Sequence, residues 1–209
     1  MKKLCLILGL LFVSSVASGS EVIREKGDVS LNFSFNGLVI SDYKFGIGSK
    51  YWLTSDIAVV GSLDTANREN DSKLDFGSGA STARDSDVRF YGLSLGLEKH
   101  FKSSNNLSPY VGVEAHYSKE YGASTLVQSD SVSTTITSTD YTTRGYGLNA
   151  LLGVEYALNK NISLAADYSY GYSYMKRTDT TNDLFAPQQE TSTKGFGLGS
   201  GRLILLIYF

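Results

Sequence analysis

His116-Tyr117-Ser118 sets an imidazole and a hydroxyl two residues apart, which is one side of a strand if the segment is extended. A serine becomes a nucleophile only beside a base, so this spacing is a candidate for nucleophilic chemistry. Further ionisable side chains recur among the alternating positions: Lys44, Lys50, Glu98, His100, Glu114, His116, Glu155, Asp167 and Arg202, together with Asn149. Charges withdrawn from water must pair or shift their pKa, and four carboxylates facing two lysines, one arginine and two histidines can do so. Two chemistries follow. One is a structural ion-pair network. The other is a pH- or voltage-sensitive narrow channel in which His100 and His116 titrate near neutral pH. The glycines at 195, 197, 199 and 201 resemble a phosphate-binding loop only superficially. The third glycine of G-x-G-x-x-G would fall on Ser200 or Arg202, with no βα unit around it. They read better as a bulge or tight packing in a strand. His-Glu-x-x-His and Walker A patterns are absent, and no metal or other cofactor is expected.

The elements that position these residues are strands. Apolar and polar residues alternate with period two over eight segments: Val29–Asn36, Tyr43–Tyr51, Ile57–Asp64, Tyr91–Glu98, Val111–Ser118, Tyr146–Tyr156, Ile162–Tyr174 and the more continuously apolar Phe196–Phe209. Short connections lie at Leu53–Asp56, Lys102–Ser108 and Leu158–Asn161. Long ones lie at 65–87, 119–142 and 176–194, while the first, around Leu38–Asp42, is short where a long one is expected. Tight turns at one end and long loops at the other are what an up-and-down transmembrane barrel needs. The fold class expected is therefore all-β, an eight-stranded antiparallel barrel over residues 28–209 with both termini at the short-turn end.

Composition narrows the setting. The chain of 209 residues has 19 Lys and Arg against 21 Asp and Glu, so no basic excess points to nucleic acid. Lys2 and Lys3 precede the ten-residue apolar run Leu4–Val13, too short for a membrane helix, and Ala17-Ser18-Gly19 fits a small-x-small cleavage site. Residues 1–19 are expected to be a signal peptide. Its removal takes away two lysines, leaving 17 basic against 21 acidic groups, and also Cys5, the only cysteine, so no disulfide or cysteine metal site is expected. A soluble barrel would turn its apolar face inward. Here the polar face is Gly, Ser and Asn with single charges, and the apolar face ends in Tyr43, Tyr51, Phe101, Tyr117, Tyr156, Tyr174 and Phe209. That pattern suits an apolar face turned to lipid between two aromatic girdles, with small residues in a narrow lumen.

Phe45-Gly-Ile-Gly-Ser-Lys-Tyr-Trp-Leu-Thr-Ser-Asp-Ile-Ala-Val59, Pro109-Tyr-Val-Gly-Val-Glu-Ala115 and the C-terminal Leu203-Ile-Leu-Leu-Ile-Tyr-Phe209 resemble segments of the small outer-membrane β-barrel family of the OmpA and OmpX type. The resemblance covers about residues 28–209. It implies insertion into a bacterial outer membrane of the Gram-negative type by the barrel assembly machinery, with periplasmic chaperones. The assembly signal would be Leu203, Leu205, Ile207 and Phe209. The partners it implies are outer-membrane lipid and lipopolysaccharide. His116-Tyr-Ser118 also resembles the His-x-Ser pair of the outer-membrane lipid A deacylase. That family continues with Asn-Ala where this chain has Lys119-Glu120, and its catalytic face meets lipid, whereas the phase here turns His116 and Ser118 into the lumen.

The expected role is structural or surface interaction, such as adhesion or envelope integrity, through loops 65–87, 119–142 and 176–194, with no enzymatic activity. The Ser/Thr tract 124–143 carries Val127, Val132 and Ile136, and its β-branched content suggests a hairpin standing beyond the membrane. A narrow passive pore or small-solute carrier is the alternative, followed by a lipid A-modifying enzyme.

Overall fold

The computed structural model describes residues 24–36, 44–75, 81–101, 106–129, 133–181 and 188–209. The expected signal peptide, Tyr43 and the connection at 38–42 lie outside them. Eight strands follow in order: β1 Val29–Asn36, β2 Lys44–Trp52, β3 Ile57–Asp75, β4 Ser81–His100, β5 Leu107–Ser129, β6 Thr134–Ala157, β7 Ile162–Thr181 and β8 Gln189–Tyr208. Each pairs antiparallel with its neighbour in sequence, and β8 returns to β1, so the sheet closes into a barrel. Closure satisfies the backbone groups that an open sheet would leave bare within a membrane.

The period-two pattern sorts the two faces. Ser30, Asn32 and Ser34 of β1 are buried inward, while Phe35 is exposed outside. Leu93, Leu95 and Leu97 of β4 and Leu148 and Leu152 of β6 face outward, against Ser94, Glu98, Leu151 and Glu155 inside. The result is an apolar outer belt. Rings pair along its long-hairpin edge, Tyr91 with Tyr121, Tyr146 with Tyr174 and Tyr172 with Phe196, at centroid distances of 6.5, 4.9 and 5.2 Å.

The long connections are a correction. Most of 65–87, 119–142 and 176–194 is strand. Thr65↔Tyr91 continues out to Asp75↔Ser81, Lys119↔Arg144 to Ser129↔Thr134, and Lys176↔Ser192 to Asp179↔Gln189. The polar composition that suggested loops marks strands with water on both faces, where no apolar alternation is needed. Six strands, β3 to β8, therefore rise as a sheet beyond the level where β1 ends at Asn36↔Arg202 and β2 begins pairing β3 at Phe45↔Thr65. On the β3–β4 hairpin Asp71 stands directly opposite Asp85. Hydrogen bonding to Asp71, and repulsion from it, push the Asp85 carboxyl above the usual carboxylate range.

Tyr168 pairs Gly201 but Tyr170 pairs Leu198, so β8 holds one extra residue between Leu198 and Gly201. This is the bulge that reconciles the outward phases of Phe196 and Phe209. At the short-turn end the interior is packed with Trp52, Ala58, Tyr110, Ala165, Leu206 and Tyr208.

Candidate functional site

The inward charges form layers in the lumen. Nearest the short turns, Lys50 on β2 reaches across the barrel. Its Nζ lies 2.8 Å from Glu98 Oε2 on β4 and 3.0 Å from Glu155 Oε2 on β6. His100 Nε2 is 3.1 Å from the same Glu98 oxygen, and His100 Nδ1 is 3.0 Å from Ser108 Oγ. The imidazole lies between Trp52 and Tyr110, with ring centroids 4.5 and 4.8 Å away. The Tyr208 hydroxyl donates to Glu155 Oε1 at 2.9 Å. Side chains of Lys50, Glu98 and Glu155 retain at most 4% of their solvent exposure. At that depth the ammonium and the carboxylates are held by one another rather than by water.

The next layer is built on Arg202. Its Nε and Nη2 donate to the two oxygens of Asp167, each at 2.8 Å, and its Nη1 donates to Glu114 Oε2 at 2.6 Å. The two-point contact with Asp167 uses the planar fork of the guanidinium. The Tyr110 hydroxyl donates to Asp167 Oδ2 at 3.1 Å, which links the two layers. Tyr110 crosses the lumen because Gly153 opposite it has no side chain; a Cβ there would overlap the ring.

Beyond Arg202 the lumen opens into a cavity of about 140 Å³, lined in part by Lys44, Asp64, Glu114, His116, Ser118 and Asn149. Lys44 Nζ sits 3.9 Å from the Phe90 ring centroid. His116 Nδ1 is 3.3 Å from Asn149 Nδ2. His116 and Ser118 thus both line this polar space. Among the described residues no group of three or more His, Cys, Asp or Glu is arranged to hold a metal ion.

The structure therefore places Lys50, Glu98, His100 and Glu155 in one layer, Glu114, Asp167 and Arg202 in a second, and Lys44 and His116 at the cavity beyond. Leu203, Leu205 and Ile207 alternate with buried Leu206 and Tyr208 on β8, and Phe209 ends the chain 81% exposed. Sequence reasoning missed Trp52, Asp64, Tyr110 and Tyr208 as lumen residues. Their signal was phase: Trp52 continues Lys50, Tyr110 continues Glu114, and Tyr208 continues Arg202. It also missed Arg24, which precedes β1. Arg24 Nη2 donates to Ser163 Oγ at 2.6 Å and Nη1 to the Lys160 carbonyl at 2.9 Å, and the guanidinium lies 3.4 Å from the Tyr208 ring centroid.

The fold is similar to two solved outer-membrane proteins. A major outer membrane protein of Thermus thermophilus matches with a TM-score of 0.54 and 14% identity, over 88% of this chain and 99% of that one. OprG of Pseudomonas aeruginosa matches with a TM-score of 0.55 and 11% identity, over 91% of this chain and 99% of that one. No curated protein matches in sequence. The profile of the outer membrane protein β-barrel domain, by contrast, matches residues 4–202. The closed eight-stranded ring with its apolar belt outside and polar interior accords with that match, and the chain belongs to the outer membrane protein β-barrel domain family, whose members are integral to the bacterial outer membrane.

Proposed function

We propose that the protein is a non-conducting, non-enzymatic surface protein that works through the sheet standing outside the membrane. The observation that carries this reading is a lumen crossed by two ion-pair layers beneath a six-stranded wall. A strand crosses the bilayer in about 9–11 residues, yet β3 to β8 run for 19 to 24. The surplus is invested outside. Among the described residues, β3 beyond Thr65 pairs only with β4, and β8 before Arg202 pairs only with β7. Among the described residues, two sheet edges are thereby left for a partner strand, the geometry of β-augmentation. The lumen placement of His116 and Ser118, away from the lipid-facing surface, speaks against lipid hydrolysis.

Planar-bilayer recording of the purified barrel tests the first half: no discrete conductance steps are expected, and reproducible steps would replace this reading with a narrow pore. The second half is tested by replacing residues 68–87 and 121–142 with tight turns. Cells displaying the trimmed barrel should lose cell–cell aggregation and attachment to collagen-coated surfaces relative to cells displaying the full chain. Equal behaviour of the two would overturn a surface-interaction role.

A further inference from the structure

Besides the edges of β3 and β8, the sheet outside the membrane has a third. Strand β6 pairs with β5 out to Ser129↔Thr134, but its pairing with β7 ends at Thr139↔Thr181. Among the described residues, residues 134–138 therefore have a strand neighbour on one side only. Ile136 in this segment is 67% exposed and stands opposite Val127 on β5. It lies ten residues beyond Tyr146, at the upper edge of the apolar belt, which is about 33 Å along the strand. The bare edge is thus far out in water.

The three edges differ in charge. Native sheets protect their edges from unwanted pairing with charged side chains, prolines and bulges. The β3 edge carries Arg68, Glu69, Asp71, Lys73 and Asp75, and the β8 edge carries Glu190, Lys194 and the bulge between Leu198 and Gly201. The β6 edge has none of these. Ser133-Thr-Thr-Ile-Thr-Ser-Thr139 is a run of seven residues without charge, proline or glycine, five of them β-branched. That composition favours strand pairing. The run also reads nearly the same from either end. Set antiparallel against a copy of itself about Ile136, it places Thr134 opposite Ser138, Thr135 opposite Thr137 and Ile136 opposite Ile136. Each pair then matches hydroxyl with hydroxyl or apolar with apolar, and cross-strand pairs of this kind stabilise a sheet. Against the β3 edge the same run would set hydroxyl and apolar side chains beside charges.

We infer that residues 134–138 of β6 pair antiparallel with the same residues of a second copy, the two related by a two-fold axis at Ile136. Strand direction fixes where that copy is. β6 runs from its outermost residue, Thr134, to Ala157 at the short turns. An antiparallel partner runs the other way, so its barrel lies in a facing membrane and the contact joins two cells. Five residues make a weak joint alone, and many copies on two facing surfaces supply the avidity. The inference rests on the surface-interaction reading and gives it a partner, this same chain on another cell.

The test mixes two cell populations that display the full chain and carry different fluorescent proteins, and counts two-colour clusters by flow cytometry. Cells displaying the chain are expected to give several-fold more two-colour clusters than cells without it. Ile136→Lys on both populations should remove most of that excess, because it sets like charges directly opposite each other. Ile136→Glu on both should do the same. Mixing Ile136→Lys cells with Ile136→Glu cells should restore clustering, since position 136 then faces the opposite charge. Leu74→Lys, near the end of the β3 edge, should match the unaltered chain. The self-pairing is overturned if the unaltered chain gives no excess, if Ile136→Lys cells cluster as before, or if the mixed populations stay apart. An equal loss in Leu74→Lys also overturns it. Gel mobility before and after boiling establishes that each variant is folded. If the position 136 variants are not, T134K/S138K and T134E/S138E take their places with the same outcomes expected. Attachment to collagen-coated surfaces is scored in parallel. If it is kept while the unaltered chain fails to cluster, the self-pairing alone falls; if both are absent, the surface-interaction reading falls with it.

Discussion

Lys50 is the residue on which the inner layer turns. Replacing one member of a buried ionic group strands the others without compensation, at a cost of about 3–5 kcal/mol. Lys50→Met leaves Glu98 and Glu155 facing each other across the lumen. The temperature at which the SDS-resistant form converts to the slow-migrating form should fall markedly. Adding Glu98→Gln and Glu155→Gln to Lys50→Met should recover most of the loss, because the stranded charges are then gone. Tyr110 and Gly153 give a second test. Gly153→Val pushes the Tyr110 ring from its place and breaks its bond to Asp167, so the same transition should drop in that variant too, while Gly195→Val, where a Cβ meets nothing within 4 Å, should leave it unchanged. At this scale the site was half legible in the sequence. Charge stands out against an apolar face, so Glu98, Glu155 and Arg202 announced themselves. Trp52, Tyr110 and Tyr208 did not, since an aromatic side chain reads equally as girdle or plug and only its phase decides.

The strand pattern was legible where the environment is asymmetric. Between lipid and lumen each residue must choose a side, and the alternation of Leu93, Leu95 and Leu97 with Ser94 and Glu98 records that choice. Beyond the membrane both faces meet water and the constraint lapses, which is why Arg68, Glu69 and Asn70 read as loop although they belong to β3. The Asp71–Asp85 pair on that hairpin makes the extension sensitive to pH. A carboxyl whose folded pKa is raised above its unfolded value, about 3.9 for Asp, destabilises the folded hairpin at neutral pH. That penalty is relieved as pH falls through the raised pKa and is gone below the unfolded one. Amides of residues 69–75 and 81–87 should therefore be better protected, once corrected for intrinsic exchange, at pH 4 than at pH 7. Asp71→Asn should gain that protection at pH 7 and flatten the pH dependence.

For the whole molecule, the eight-strand count and the closed ring followed from the number of alternating segments and the pairing of each with the next. The last partner of β1 was not visible in any local pattern, because β1 and β8 lie at opposite ends of the chain. Their seam, Ser30↔Tyr208 to Asn36↔Arg202, is what turns a sheet into a barrel. Arg24 sits across the foot of that seam: it touches Lys160 and Ser163 from the β6–β7 turn and the start of β7, and its guanidinium covers Tyr208 of β8. These partners come together only after β7 and β8 are in place. Considered in time instead of space, the contact is a latch whose full set of partners is assembled only when the seam closes, and a chain still waiting for its final strand lacks the Tyr208 ring that Arg24 covers. Arg24→Ala should accordingly leave the early collapse of refolding unchanged while shortening the lifetime of the closed form in urea, so that loss of the contact appears in the opening rate of the seam.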